Sequence, residues 1–296
     1  MWIRSFIDYL KFERNYSNKT LRCYEDDLKA FEKFFKELDS TLKWDTLDAD
    51  VVRNWMVSMM DAGSAATSVN RRLSSLRSFF RFLLKRGMVG FDPVRGVQGP
   101  KKKKPLPVFV RESDMDRLLD GNCFADSFEG RRDRLILDLF YSTGMRLSEL
   151  TGLNVEDIDL VTDNVKVTGK RNKQRIIPFG EELHVLLETY ISERRILADA
   201  VAGATSALFV DAKGVRLQNI KVWRLVRYYL GLVSTFSKRS PHVLRHTFAT
   251  SMLNHHADLE ALKELLGHES ISTTEIYTHT TFEELKEMYN QAHPRA

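Results

Sequence analysis

A chain of 296 residues with 43% hydrophobic side chains can fill two cores of ordinary size, which excludes a disordered tail or a lone small module. The net charge of +5 is unevenly spread: through Pro107, 21 Lys/Arg stand against 13 Asp/Glu, whereas from Val108 onward 24 stand against 27. A basic field therefore belongs to the first third, and any polyanion contact further on must come from a local patch. Cys23 and Cys123 lack metal or redox spacing and read as ordinary reduced residues. No apolar run has the length of a membrane span, and the opening MWIRSFIDYLKFERN is amphipathic rather than a signal peptide, so the expected location is the cytoplasm.

In chain order, Trp2, Phe6, Tyr9 and Leu10 recur at helical spacing and predict a helix over 2–14, closed by the polar run 15–18. A second helix is predicted over 19–38, where Leu21, Tyr24, Leu28, Phe31 and Phe35 form one stripe. Asp48 or Asp50 caps a third, which carries Val51, Val52, Trp55, Met56 and Met59 and ends at Gly63. Residues 64–86 predict a fourth helix, with Leu73, Leu76, Phe80 and Leu83 on one face and Arg77, Arg81 and Lys85 on another. A basic stripe of this kind is commonly a solvated face, and it equally suits contact with phosphates or a DNA groove. The segment VQGPKKKKPLP, residues 97–107, interrupts every hydrophobic period and reads as an interdomain linker. Its lysines, Lys101, Lys102, Lys103 and Lys104, suit either solubility or a strap along a duplex backbone.

From Val108 the pattern changes to longer helices around a short hairpin. Helices are predicted over 112–119 and 131–141, followed by a turn at Thr143 and Gly144 and a helix carrying Arg146, Leu147 and Leu150. Glu149, three residues after Arg146, is placed to hold it by an ion pair. Val165 and Val167, with Ile176 and Ile177, flank the turn GKRNKQR and predict a β-hairpin. Within that turn Lys170, Arg171, Lys173 and Arg175 are indistinguishable by basic character. A long amphipathic helix over 181–197, a loop over 198–207, a short strand at 208–210 and a helix over 218–232 follow. In the last of these, Lys221, Arg224 and Arg227 leave room for phosphate contacts.

The densest chemistry lies in residues 240–279, SPHVLRHTFATSMLNHHADLEALKELLGHESISTTEIYTH. Ser240 is a good N-cap and Pro241 a good first helical residue, so His242 and Arg245 share a face of the first turns. That helix end favours an anion, and a guanidinium matches phosphate oxygens. Residues 259–266 form a second apolar segment ending at Gly267, which suits a C′ position, with His268 next and Tyr277 nine residues later.

The order HVLR, LGHES, EIYTH resembles the tyrosine recombinase, or lambda-integrase, family, and most of all its Xer branch. TGMRLSEL resembles the family's first arginine motif, and Gly169 and Lys170 its hairpin-lysine motif. The opening FIDYLKFERNYSNKTLRCYEDDLKAF resembles its core-binding domain, and AHPRA resembles the Xer terminus, so the likeness covers essentially the whole chain. Thr280 is a mild departure, standing where a small aliphatic is common.

The resemblance implies a mainly α fold with a small antiparallel β-hairpin or sheet. Residues 1–96 would be a helical, SAM-like core-binding domain, 97–107 a basic linker, and 108–296 the catalytic domain with a C-terminal docking segment. It implies a catalytic set of Arg146, Lys170, His242, Arg245, His268 and Tyr277, with Tyr277 as nucleophile. A tyrosine hydroxyl, with a reference pKa near 10, needs a base or nearby positive charge to attack phosphorus. Two arginines would neutralise the non-bridging oxygens, the lysine would protonate the leaving 5′ hydroxyl, His242 would assist as base and His268 would hydrogen-bond the phosphate. The phosphotyrosine conserves the bond energy, so neither ATP, another cofactor nor a metal is expected. The implied partners are double-stranded DNA with an inverted-repeat site and further copies of the chain, or a related recombinase, as a tetramer on two sites. A divisome-type activator is left unspecified. FEELKEMYNQ is the candidate for docking on a neighbouring protomer, against the alternative of a helix folded back on its own domain.

Each of these residues has a blander reading alone: a structural histidine near a helix start, a surface arginine, a core tyrosine, a histidine capping a helix end. Their joint order outweighs those readings. His242 and His246 have the i, i+4 spacing of a zinc helix, but Val243 stands where a metalloprotease needs its carboxylate and Arg245 would repel a cation. Rival functions are a type IB topoisomerase, a DNA-binding protein with a degenerate site, and an integrase or invertase of a mobile element. An additional arm-binding domain would point to an integrase, and the given sequence opens on the core-binding helices, so the expected function is Xer-type resolution of chromosome or plasmid dimers, or a simple site-specific invertase.

Overall fold

The computed structural model describes residues 1–102, 108–169, 172–200, 205–236, 238–267 and 282–296. The chain divides into two compact units, Met1–Pro105 and Leu106–Ala296. Among the described residues the fold is mainly helical with one small antiparallel sheet, as expected from the sequence.

The first unit holds α1 (Trp2–Phe12), α2 (Asn18–Leu38), α3 (Ala49–Asp61) and α4 (Ala66–Lys85). Of the two aspartates offered as a cap, Asp48 is the one, accepting from the backbone N–H groups of Asp50 and Val51 at 2.9 and 3.0 Å. The apolar stripes meet in an aromatic core in which Trp44 lies edge-on to Phe79 and Phe35, at 4.8 and 5.1 Å between ring centres. Buried Asp27 accepts both guanidinium nitrogens of Arg71 and the hydroxyl of Ser75. Residues 97–100, which read from sequence as linker, lie against α4 instead. Val97 is buried, Arg77 donates to its carbonyl at 2.7 Å, and the Asn70 amide donates to the Pro100 carbonyl at 2.9 Å. Gly99 permits this approach, because a Cβ there would stand 2.2 Å from the Asn70 side-chain oxygen.

The second unit contains α5 (Glu112–Leu119), α6 (Phe128–Thr143), α7 (Leu147–Gly152), β1 (Ile158–Asp159), β2 (Asn164–Thr168), β3 (Gln174–Pro178), α8 (Glu181–Ala200), α9 (Asn219–Val233), α10 (Pro241–Asn254), α11 (Leu259–Leu266) and α12 (Phe282–Ala292). Helix α6 is its spine, buried along most of its length and packed on α8 and α10. It starts three residues before the predicted 131, because the Ser127 hydroxyl accepts from the Gly130 N–H at 3.1 Å and caps it. Helix α8 continues to residue 200, past the predicted end at 197, through a stretch in which alanine, a strong helix former, recurs. Residues 208–210 form no strand, and Val210 makes only an isolated bridge to Arg216.

The hairpin β2–β3 is joined by a third strand, β1, in the order β1-β2-β3, all antiparallel. At two residues β1 is too short to show a period. Register pairs Val165 with Ile177 and Val167 with Arg175, so these four side chains share the inward face. Gln174 and Arg175 therefore belong to β3 rather than to the exposed turn in which the sequence placed them.

Helix α12 lies on its own unit in this chain, against α10, α11 and β3. The segment after it is buried too. Arg295, with its side chain 7% exposed, reaches Asp120 at 2.9 Å and Glu182 at 2.5 Å.

Candidate active site

Helix α10 starts as expected, with Ser240 extended and Pro241 in its first turn, although the Ser240 side chain makes no capping bond. His242 is exposed in that turn, and Arg245, one turn on, is buried. Arg245 Nη1 donates to the Gly144 carbonyl at 2.7 Å, and its Nη2 to the Leu266 carbonyl at 2.6 Å. Gly144 ends α6 in the left-handed conformation, φ +58°, and its own N–H donates to Phe140. A Cβ at Gly144 would lie 2.4 Å from Phe248 Cδ1 and 3.0 Å from Leu266 Cδ2.

Arg146 is not inside a helix, as the sequence suggested, but is the extended N-cap of α7. The cause is Glu149, whose Oε2 accepts the Arg146 backbone N–H at 2.8 Å. The expected ion pair is also present: Arg146 Nη1 donates to Glu149 Oε1 at 2.7 Å. The Nη2 of Arg146 reaches the Gly267 carbonyl at 2.8 Å. Gly267 closes α11 in the left-handed conformation, φ +62°, as its place in the sequence predicts.

A third guanidinium completes the cluster. Arg175 donates to both oxygens of Glu149, at 3.0 and 2.9 Å, and through Nε to the Leu265 carbonyl at 2.6 Å. The last two carbonyls of α11, which have no partners within the helix, and that of its cap thus each receive one arginine: Leu265 from Arg175, Leu266 from Arg245, Gly267 from Arg146. The negative pole of the helix adds to the attraction. By basic character alone Arg175 is one residue among several in its turn. Strand alternation before Ile177 turns Arg175 to the inward face, but it does not name its partners, which lie far away in the chain.

Burial alone would favour neutral Glu149, but the hydrogen bonds from Arg175 and from the Arg146 N–H outweigh it and hold the carboxyl below its ordinary range. Arg245 is pushed down to about 10, by burial first and then by the neighbouring charges of Arg146 and Arg175, with Glu149 opposing. It remains charged at neutral pH. Three guanidinium groups around one carboxylate leave a positive excess in a partly enclosed place, which suits a phosphate diester.

Of the predicted catalytic set, Arg146, His242 and Arg245 are described, and the two arginines converge on one helix end. Lys170, His268 and Tyr277 lie outside the described residues, as do Lys103 and Lys104 of the basic strap. Lys101 and Lys102 are exposed. On α4, Arg81 and Lys85 are exposed, whereas Arg77 is engaged with Val97. On α9, Lys221 pairs with Asp211 at 2.9 Å and Arg227 lies over the Trp223 ring. Among the described residues no group of three or more His, Cys, Asp or Glu is placed to hold a metal ion.

The profile of the Phage integrase family matches residues 109–284, and that of the phage integrase N-terminal SAM-like domain matches residues 3–87. The chain belongs to the phage integrase family, the tyrosine recombinases, enzymes that cleave and rejoin DNA strands. Within it the likeness is to Xer proteins. The chain is 40% identical to tyrosine recombinase XerC of Chlorobaculum tepidum, over 100% of this chain and 95% of that protein. It is 36% identical to tyrosine recombinase XerD of Oceanobacillus iheyensis, over 99% of this chain and 98% of that protein. A solved structure of XerH recombinase bound to its difH substrate has the same fold, with a TM-score of 0.69 at 23% identity over 96% of this chain and 83% of the XerH chain.

Proposed function

We propose that this chain is a Xer-type site-specific recombinase that resolves chromosome or plasmid dimers through a 3′-phosphotyrosyl intermediate. The observation that carries the proposal is the convergence of Arg146 and Arg245 on the end of α11, one residue before His268 in the chain. Arg146, with its side chain 38% exposed, and Arg245 supply the charge that neutralises the non-bridging oxygens of the scissile phosphate. The Tyr277 hydroxyl attacks phosphorus, and its proton passes to a base, the role assigned to His242. The bond from phosphorus to the 5′ oxygen breaks, and Lys170 protonates that oxygen as it leaves. His268 donates a hydrogen bond to the phosphate. A second DNA end then attacks the phosphotyrosine and frees the tyrosine.

Residues 1–96 serve as the core-binding domain and the Lys101–Lys104 strap follows the duplex between two DNA-binding halves. The working assembly is a tetramer of this chain, or of this chain and a related recombinase, on two inverted-repeat sites in the cytoplasm. Among the described residues no helix is long and apolar enough to cross a membrane. The test is incubation with nicked duplexes carrying candidate sites, followed by a denaturing gel beside Tyr277→Phe. A protein–DNA band seen only with Tyr277, and unchanged by EDTA, is the expected result. No band on any duplex that the protein demonstrably binds would refute the catalytic reading.

A further inference from the structure

Arg175 commits all three of its guanidinium nitrogens to acceptors within the protein, Nη1 and Nη2 to the Glu149 carboxylate and Nε to the Leu265 carbonyl. It ties three separate parts of the site together at once: its own strand β3, the Glu149 carboxylate of α7 and the Leu265 carbonyl of α11. We propose that Arg175 is a positioning residue for strand cleavage, clamping Glu149 to the end of α11 so that Arg146 and Arg245 hold the spacing a phosphate requires. The inference rests on the tyrosine recombinase reading of this site.

The clamp follows from an asymmetry between the two guanidinium groups on Glu149. The carboxylate is 1% exposed, and a buried charge needs a partner that stays. Arg146 is 38% exposed and is the partner turned toward solvent, whereas Arg175 offers two parallel bonds from inside. With Arg175 in place, Glu149 is satisfied and Arg146 is held lightly enough to serve an incoming anion. Without it, Arg146 alone must compensate the buried carboxylate and is drawn from the phosphate position. The Leu265 carbonyl loses its donor in the same change, one residue from the carbonyl that anchors Arg245.

Two glycines shape the slot. A Cβ at Gly267 would stand 3.1 Å from Arg175 Nη1 and 3.3 Å from its Cδ, and a Cβ at Gly169 would stand 3.1 Å from Glu149 Oε1. Lysine cannot replace the arginine, since one ammonium cannot bond both carboxylate oxygens in parallel and a carbonyl from a second direction.

The experiment is single-turnover cleavage of a nicked duplex by the full chain, with DNA affinity and Tm measured alongside, for wild type, Arg175→Lys, Arg175→Gln, Glu149→Gln and Arg175→Lys/Glu149→Gln. Both Arg175 variants should stay folded at the assay temperature, with a Tm lowered by several degrees because the buried carboxylate has lost a partner, and should bind the duplex as wild type does while adduct forms about 100-fold more slowly. The double variant should lose little beyond the worse single one, because the two residues act as one unit. Among the described residues, the charged groups facing Glu149 are Arg146 of α7, Arg175 of β3 and Arg245 of α10. Loss of the bidentate donor leaves burial to raise the Glu149 pKa, so the acid limb of the rate profile should move to higher pH in Arg175→Lys. Wild-type cleavage rates in both Arg175 variants overturn the inference alone. So does a fall in rate matched by an equal fall in affinity or by a collapse of Tm, or a loss that multiplies with Glu149→Gln. Failure of wild type to form any adduct on DNA that it binds overturns the functional reading, and the inference with it.

Discussion

Acidification should weaken the second unit through one residue, His293. Its ring is 5% exposed and stacked on Tyr289 at 5.0 Å, with Tyr141 and Phe248 also packed on it. The Arg295 N–H donates to Nδ1 at 3.1 Å, so the ring proton sits on Nε2 and is donated to the Tyr141 carbonyl at 3.2 Å. A second proton has no acceptor. Burial first, with the Arg295 charge adding to it, pushes the His293 pKa down from 6.5 to about 4. Above the higher value both folded and unfolded chains carry neutral histidine and this residue gives no pH dependence. Between the two values the unfolded chain takes up a proton that the folded chain refuses, so stability falls as pH falls, by roughly 3 kcal/mol over the whole window. For a unit of this size that is about 6–12 °C in Tm. Scanning calorimetry of the full chain and of His293→Gln, from pH 7 to pH 4, checks it. Carboxylates that titrate in both proteins cancel in the difference. The wild-type advantage at pH 7 should shrink by that amount toward pH 4. A gap that stays constant, or widens on acidification, would refute the reasoning.

Three further outcomes are expected. Gly144→Ala combines a left-handed backbone with a Cβ driven into Phe248, and should destabilise the second unit by about 2–5 kcal/mol, read as a lower Tm. Arg245→Lys removes the paired bonds to the Gly144 and Leu266 carbonyls and should slow adduct formation by about 100-fold or more, with DNA affinity largely retained in a gel shift. On α4, alanine at exposed Arg81 or Lys85 should reduce the salt dependence of DNA binding by about one unit of slope for each phosphate that is no longer neutralised. Alanine at Arg77, whose guanidinium holds the Val97 carbonyl, should instead lower the Tm of the first unit and leave the slope nearly unchanged.

Helix existence was legible because apolar side chains recur at helical spacing, as with Leu28, Phe31 and Phe35 on α2. Ends were legible where the local chemistry is strong, as at Asp48 and Gly267. The cap at Ser127 was not legible, because it depends on a backbone turn that no period announces. The two arginines of the site are marked by motif and the Arg146–Glu149 pair by spacing, both of which are local. Arg175 could not be found in that way, since what distinguishes it is a carboxylate 26 residues earlier and a carbonyl 90 residues later. Residues 97–100 show the same limit: a broken hydrophobic period says nothing of an arginine on α4 waiting for a carbonyl.

The three guanidinium groups rest on consecutive carbonyls at the end of α11, those of Leu265 and Leu266 in its last turn and of Gly267 in its cap. The last turn of α11 and its left-handed glycine cap fix where those oxygens point, so the backbone itself acts as the ruler against which the cationic groups are spaced. Side chains brought from β3, α7 and α10 take their spacing from a fourth element that contributes only peptide oxygens. Any shift of α11 therefore moves all three together, and the cluster is assembled or dispersed as a set rather than one charge at a time.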